Sequence, residues 1–190
     1  MRTIPAGSSR TNPAGRRHRG LSLVESLAVL AVLAIAAGAA LPAFTAMTEG
    51  RHLQGTAAQF EADVQLAHAS ATLRSRSVRL SFYDSPEAPR CWLIHTGEPE
   101  DCRCEAATGT AACEAPAQLL RASVLPATLP LRLQSNAASL RFSATRHTVT
   151  PAATLTLSTR SGRSVREIVS VMGRVRGCSP DGAVSGFRSC

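Results

Sequence analysis

The sequence predicts an α+β protein: one long N-terminal helix, half transmembrane and half amphipathic, packed on a small antiparallel β-sheet head. Three observations predict it. No charged residue occurs from Ser26 to Thr48. Apolar residues then recur at helical steps from Leu53 to Ala71. At Val78 the period changes to two. The 190 residues suffice for one modest domain plus an extra segment. With 18% charged and 44% hydrophobic residues, a disordered polar chain is excluded.

Residues 1–20 are rich in Arg, Ser, Pro and Gly, with five Arg and no acid, and read as a leader. Residues 21–48 form the apolar segment. At about 1.5 Å per residue its uncharged run is long enough to cross a hydrocarbon core of about 30 Å. The basic side precedes the run, so the positive-inside rule places residues 1–20 in the cytoplasm and the rest outside. Glu25 stands just inside the run. A carboxylate there costs up to about 3 kcal/mol at the bilayer centre and calls for a partner.

The residues Gly20-Leu21-Ser22-Leu23-Val24-Glu25, preceded by Arg16, Arg17 and Arg19, resemble the type III signal of type IV pilins and type II secretion pseudopilins. The resemblance implies that prepilin peptidase cuts between Gly20 and Leu21 and that Leu21 is then N-methylated. It implies that Glu25 recruits subunits into a filament, pairing with a neighbour's N-terminal amine. It makes Pro42 a helix kink. Leu21 departs from the family's usual Phe or Met. The implied partners are prepilin peptidase, other major and minor pilins or pseudopilins, and the bacterial inner membrane. The implied location is a single pass with a periplasmic head, and a pilus or pseudopilus after assembly. Small residues from Ala36 to Ala40 suit close helix approach.

Residues 49–77 continue the helix as an amphipathic segment, ending near Arg76. Leu53, Ala57, Phe60, Val64, Ala67 and Ala71 make one apolar stripe that must seat a head. Asp63 with His68 reads as a solvated pair on that helix. Residues 78–190 form the head. Val78, Leu80 and Phe82 alternate with polar residues as a strand, and Cys91–His95 is a second. Residues 84–118, with Pro86, Pro89, Pro99 and Pro116, read as an irregular excursion. Further strands are expected at Leu119–Val124, Leu129–Leu133, Ser139–Phe142, Ala153–Ser158 and Val165–Met172. Ser161-Gly162 marks a hairpin turn between the last two.

The run from Glu167 to Arg176 resembles the closing strand and turn of the GspH/FimT minor pseudopilins. That resemblance implies a low-copy structural subunit of a type IV pilus. The alternatives are a minor pseudopilin of a type II secretion system, contacting other pseudopilins or exported protein, and a membrane-anchored binding protein that never polymerises.

Six cysteines fall at 91, 102, 104, 113, 178 and 190, all beyond the apolar segment. An even count outside the cytoplasm predicts disulfides. Cys178 and Cys190 bracket a Gly-rich C-terminal loop and are the best pair. Cys91, Cys102, Cys104 and Cys113 can pair in three ways, with Cys102 to Cys104 the poorest in geometry. A metal site is the rival reading, but Cys102-Arg103-Cys104 lacks the usual zinc spacing. No cofactor is expected.

The formal charge is +8, and every basic residue is Arg, with no Lys. Residues 121–190 carry ten Arg against Glu167 and Asp181. Arg174 and Arg176 are two apart and share a face if extended. Arg163, Arg166 and Arg188 add to the block. FimT-like pilins that support natural transformation carry a Gly-Arg-x-Arg motif here, implicated in binding DNA, and Gly173-Arg174-Val175-Arg176 matches it. Duplex DNA is therefore a candidate partner, set against the plainer reading of a solvated basic edge strand. No catalytic motif is present: there is no Gly-x-Ser-x-Gly, no His-Glu-x-x-His and no phosphate-binding Gly loop, so no enzyme is expected.

Overall fold

Helix α1 runs from Leu23 to Arg74 and starts on a side-chain cap: the Glu25 backbone N–H donates to Ser22 Oγ at 3.2 Å. The computed structural model describes residues 22–84, 90–105, 110–126, 128–180 and 182–190. The cleavage junction Gly20-Leu21 and its preceding arginines lie outside these residues. Pro42 lies inside α1, with its side chain outside the description.

Two units divide the chain at Pro42. In the first, the apolar side chains of α1 are exposed all round: Leu23 is 77% and Ile35 75% accessible. This stretch, with mean hydropathy 2.4, is long and apolar enough to cross a membrane. A helix that is apolar on every side finds its burial in lipid or in other helices.

The second unit, Ala43–Cys190, contains the rest of α1 and, among the described residues, twelve strands. All six predicted stripe residues from Leu53 to Ala71 are 2% exposed or less. The helix stops at Arg74 rather than Arg76 because Ser75 turns left-handed, with φ of 51°.

Among the described residues the head holds two five-stranded sheets, whose strand order depends on long-range pairing that local alternation does not encode. Sheet 1 contains β1 (Val78–Tyr83), β2 (Cys91–His95), β5 (Leu119–Val124), β7 (Ser139–Phe142) and β8 (Val149–Thr150), in the order β5-β2-β1-β7-β8. Sheet 2 contains β6 (Leu131–Ser135), β9 (Ala153–Thr159), β10 (Ser164–Val169), β11 (Val175–Ser179) and β12 (Arg188–Ser189), in the order β12-β11-β10-β9-β6. The pairing is antiparallel except where β12 joins β11 in parallel. The strand expected over Val165–Met172 ends at Val169, because Gly173 turns the chain into β11. The strand expected over Leu129–Leu133 is shifted to Leu131–Ser135.

Both sheets send apolar residues to one core with the α1 stripe: Leu80, Trp92, Ile94 and Leu140 from sheet 1, Leu133, Leu155, Leu157 and Val165 from sheet 2. Phe60 centres it, edge-on to Trp92 at 5.8 Å. The expected excursion contains a hairpin of β3 (Cys102–Glu105) and β4 (Thr110–Cys113). It covers a second small core of Cys91, Leu93 and Cys102 with Tyr83. Disulfides Cys91–Cys104 and Cys102–Cys113 close it. The third disulfide is the expected Cys178–Cys190.

Candidate functional site

The outward face of sheet 2 gathers most of the C-terminal arginines. Along β10, Val165, Glu167 and Val169 point inward, while Arg166 and Ile168 are exposed. Arg166 pairs with Cys178, which pairs with Arg188, and Ile168 pairs with Arg176. Residues paired across strands share a face, so Arg166, Arg176 and Arg188 lie together. Ordinary strand spacing puts their Cα atoms roughly 8–10 Å apart. Thr154 and Thr156 of β9, then Gln134 and Arg132 of β6, continue this face. Among the described residues it carries no acid; Asp84 lines the margin of the depression beside Arg166.

Arg174 joins the patch through the β10–β11 turn. Gly173 takes φ of +73°, and its N–H donates to the Ser170 carbonyl at 2.8 Å. The left-handed backbone favours glycine here, and a Cβ would crowd the His68 ring at 3.1 Å and Val149 at 3.3 Å. The turn is thereby seated on α1, and Arg174 and Arg176 line one depression with Ile168 and Met172. Arg163 is corrected out of the patch: half-buried, its Nη1 donates to the Ala46 carbonyl of α1 at 2.7 Å.

Two ties hold Arg188 in place. Cys178–Cys190 closes the C-terminal loop. Gln54 Nε2 donates to the Ser185 carbonyl at 2.6 Å, while Val184 is buried in the core.

At the other end of α1, Ser22-Leu23-Val24-Glu25 has the S-x-x-E form of a capping box. Only the serine half, the Glu25 N–H on Ser22 Oγ, is seen. The pattern is visible in the sequence.

Asp63 is not the solvated residue expected. It is 1% exposed and accepts from Gln59, Trp92, Ser123 and Arg121 at 3.0, 2.7, 2.6 and 2.8 Å. This carboxylate ties α1 to β2 and β5. The lone Trp was its signal, since a buried indole N–H needs an acceptor. Glu167, 3% exposed, faces the other way, with no hydrogen bond to its carboxyl among the described residues. Burial, with Glu61 nearby, raises its pKa to about 7. Its carboxyl fills the space over Gly177, where a Cβ would come within 2.7 Å.

Ser81 and His95 form the only Ser–His contact among the described hydrogen bonds, 2.9 Å at Nε2. Nδ1 faces the Thr96 carbonyl at 3.1 Å, and burial holds the imidazole below its ordinary pKa. Both side chains are 2% exposed or less, sealed from any substrate.

The family described as type II transport protein GspH matches residues 56–173. The prokaryotic N-terminal methylation motif matches residues 15–41. No curated protein matches the chain. Among solved structures, the chain is similar to the type IV minor pilin FimU of Pseudomonas aeruginosa, at 18% identity and a TM-score of 0.47, over 66% of this chain and 91% of that one. It is also similar to the minor pseudopilin EpsH of the Vibrio cholerae type 2 secretion system, at 15% identity and a TM-score of 0.46, over 68% and 98%.

Proposed function

The chain belongs to the GspH family, and we propose that it serves a type IV pilus as a minor pilin whose head grips duplex DNA for uptake. It is a minor pilin or pseudopilin, a structural subunit and not an enzyme. The methylation motif implies processing by prepilin peptidase and association with other pilins or pseudopilins, and with the apolar helix it makes a membrane-anchored subunit. In the proposed route, the peptidase cuts between Gly20 and Leu21, Leu21 is methylated, Pro42 kinks the helix and Glu25 draws the subunit into the filament. The head then stands in the periplasm, opposite the basic leader.

One observation carries the DNA reading: Arg166, Arg176 and Arg188 share an outward face that carries no acid among the described residues, with Arg174 at its turn. Arg forks suit phosphate oxygens. Stacking on single-stranded bases is disfavoured, because the one Trp is buried and the one Tyr half-buried. The expected contact is sequence-independent, to duplex phosphate. With three or four phosphates engaged, log affinity should fall with log salt at a slope of about −3. The test titrates labelled duplex with the full chain in neutral micelles. Arg174→Gln/Arg176→Gln should weaken binding about tenfold at low salt. No binding by the unaltered chain, or an unaltered affinity in the variant, sinks the DNA reading.

The second reading is a type II secretion pseudopilin, favoured by the family's own description. There the same face would meet another subunit or an exported protein.

A further inference from the structure

A second cluster of arginines lies at the end of α1, on sheet 1 and away from the face just described. Arg79 of β1 is paired in register with Arg141 of β7 on one side and His95 of β2 on the other. Like charges directly opposite across strands repel. Arg79 is relieved: it is largely buried and pairs with Glu98 at 2.7 Å. Arg141 is not. It is exposed, and its guanidinium meets only the Ser77 hydroxyl, at 3.3 Å. Arg76, also exposed, has no hydrogen bond or ion pair among the described residues. These groups line one cavity of about 330 Å³, together with Ser77 and Thr96. The cavity thus has three guanidinium groups against one carboxylate, and that carboxylate is already engaged.

We propose that this cavity binds a phosphate group, held between the forks of Arg76 and Arg141 with the Ser77 hydroxyl donating to it. The chemistry is specific. Two planar forks on a concave wall present paired N–H donors, which fit phosphate oxygens better than a single-point ammonium would. A bound anion would also offset the Arg79–Arg141 repulsion, so ligand binding and head stability are linked. The phosphate is either free in solution or part of a nucleic-acid backbone. The proposal does not rest on the DNA reading, since it uses other residues on another sheet.

The experiment is calorimetric titration of the full chain in neutral micelles with inorganic phosphate, at low ionic strength and without other polyvalent anions. Saturable binding is expected, weakened at least tenfold in Arg76→Gln/Arg141→Gln. A lysine pair, Arg76→Lys/Arg141→Lys, should retain part of the affinity, which separates lost charge from lost fold. The same variants titrated with short duplex identify the source. If Arg76→Gln/Arg141→Gln also weakens duplex binding, the cavity takes backbone phosphate. If only inorganic phosphate is lost, it takes a free one. No phosphate binding by the unaltered chain, or equal binding by the glutamine pair, overturns the site.

Discussion

The two sheets of the head share one helix and one core, yet they treat their other faces in opposite ways. Sheet 1 carries Tyr83, Cys91 and Leu93 on its far side, and the β3–β4 hairpin covers them under two disulfides. Sheet 2 carries Arg166, Arg176, threonines and Gln134 there, and nothing covers most of them. The inner faces differ too. Each meets one buried carboxylate, Asp63 toward sheet 1 and Glu167 toward sheet 2. Asp63 is met by four donors. Glu167 has no such donors among the described residues, and burial, with the repulsion of the Glu61 carboxylate, raises its pKa. Sheet 1 is the half whose far side is largely fastened under a hairpin; sheet 2 is the half whose outward arginines are exposed.

The largest expected effect breaks the fastening from inside. Asp63→Ala leaves a buried indole and a guanidinium without their acceptor, and should cost about 3–5 kcal/mol, read as a fall in the thermal midpoint of the head. The corresponding weakness in sheet 2 is a pH dependence. At low pH the Glu167 carboxyl is neutral in the folded and unfolded chains alike. As pH rises from about 4.5, its ordinary value, to about 7, its folded value, the unfolded chain ionises first and stability falls. The loss approaches 3 kcal/mol, roughly, and is constant above that window. Glu167→Gln should flatten this part of the profile in denaturant melts taken across the range. A profile with the same slope in the variant would show that another group sets it.

Next comes the outer staple. Cys102→Ser/Cys113→Ser opens a short loop and should cost about 2–3 kcal/mol of stability, while duplex affinity stays as it was. If duplex affinity falls as well, the two faces are coupled and the contrast between them fails. The smallest stability effect belongs to Arg174→Gln/Arg176→Gln, within about 0.5 kcal/mol, because both side chains are exposed.

Periodicity made the α1 stripe legible, since six residues at three- and four-step spacing have one way to be buried together. The Cys178–Cys190 bridge was legible from its short Gly-containing loop. Asp63 was not, because a helix buries an arc rather than a line: Asp63 is three residues beyond Phe60 and four before Ala67, on the flank of the stripe. The β3–β4 hairpin escaped notice because its strands, Cys102–Glu105 and Thr110–Cys113, have no clear alternation and are held by sulfur rather than by an apolar face. For the arginines, sequence supplied the block and not the plane. Nothing local distinguishes Arg163, turned to the helix, from Arg166, turned to solvent.

Gln54 and Ser185 are 131 residues apart and in contact, and Val184 shares its core with Leu53. The helix emerges during synthesis long before Val184 and Ser185, which cover part of it. Until Val184 follows, the stripe from Leu53 to Ala71 has no complete covering, and pairing of such high sequence separation is slow. A newly made subunit therefore has an interval in which this greasy flank is open to wrong neighbours.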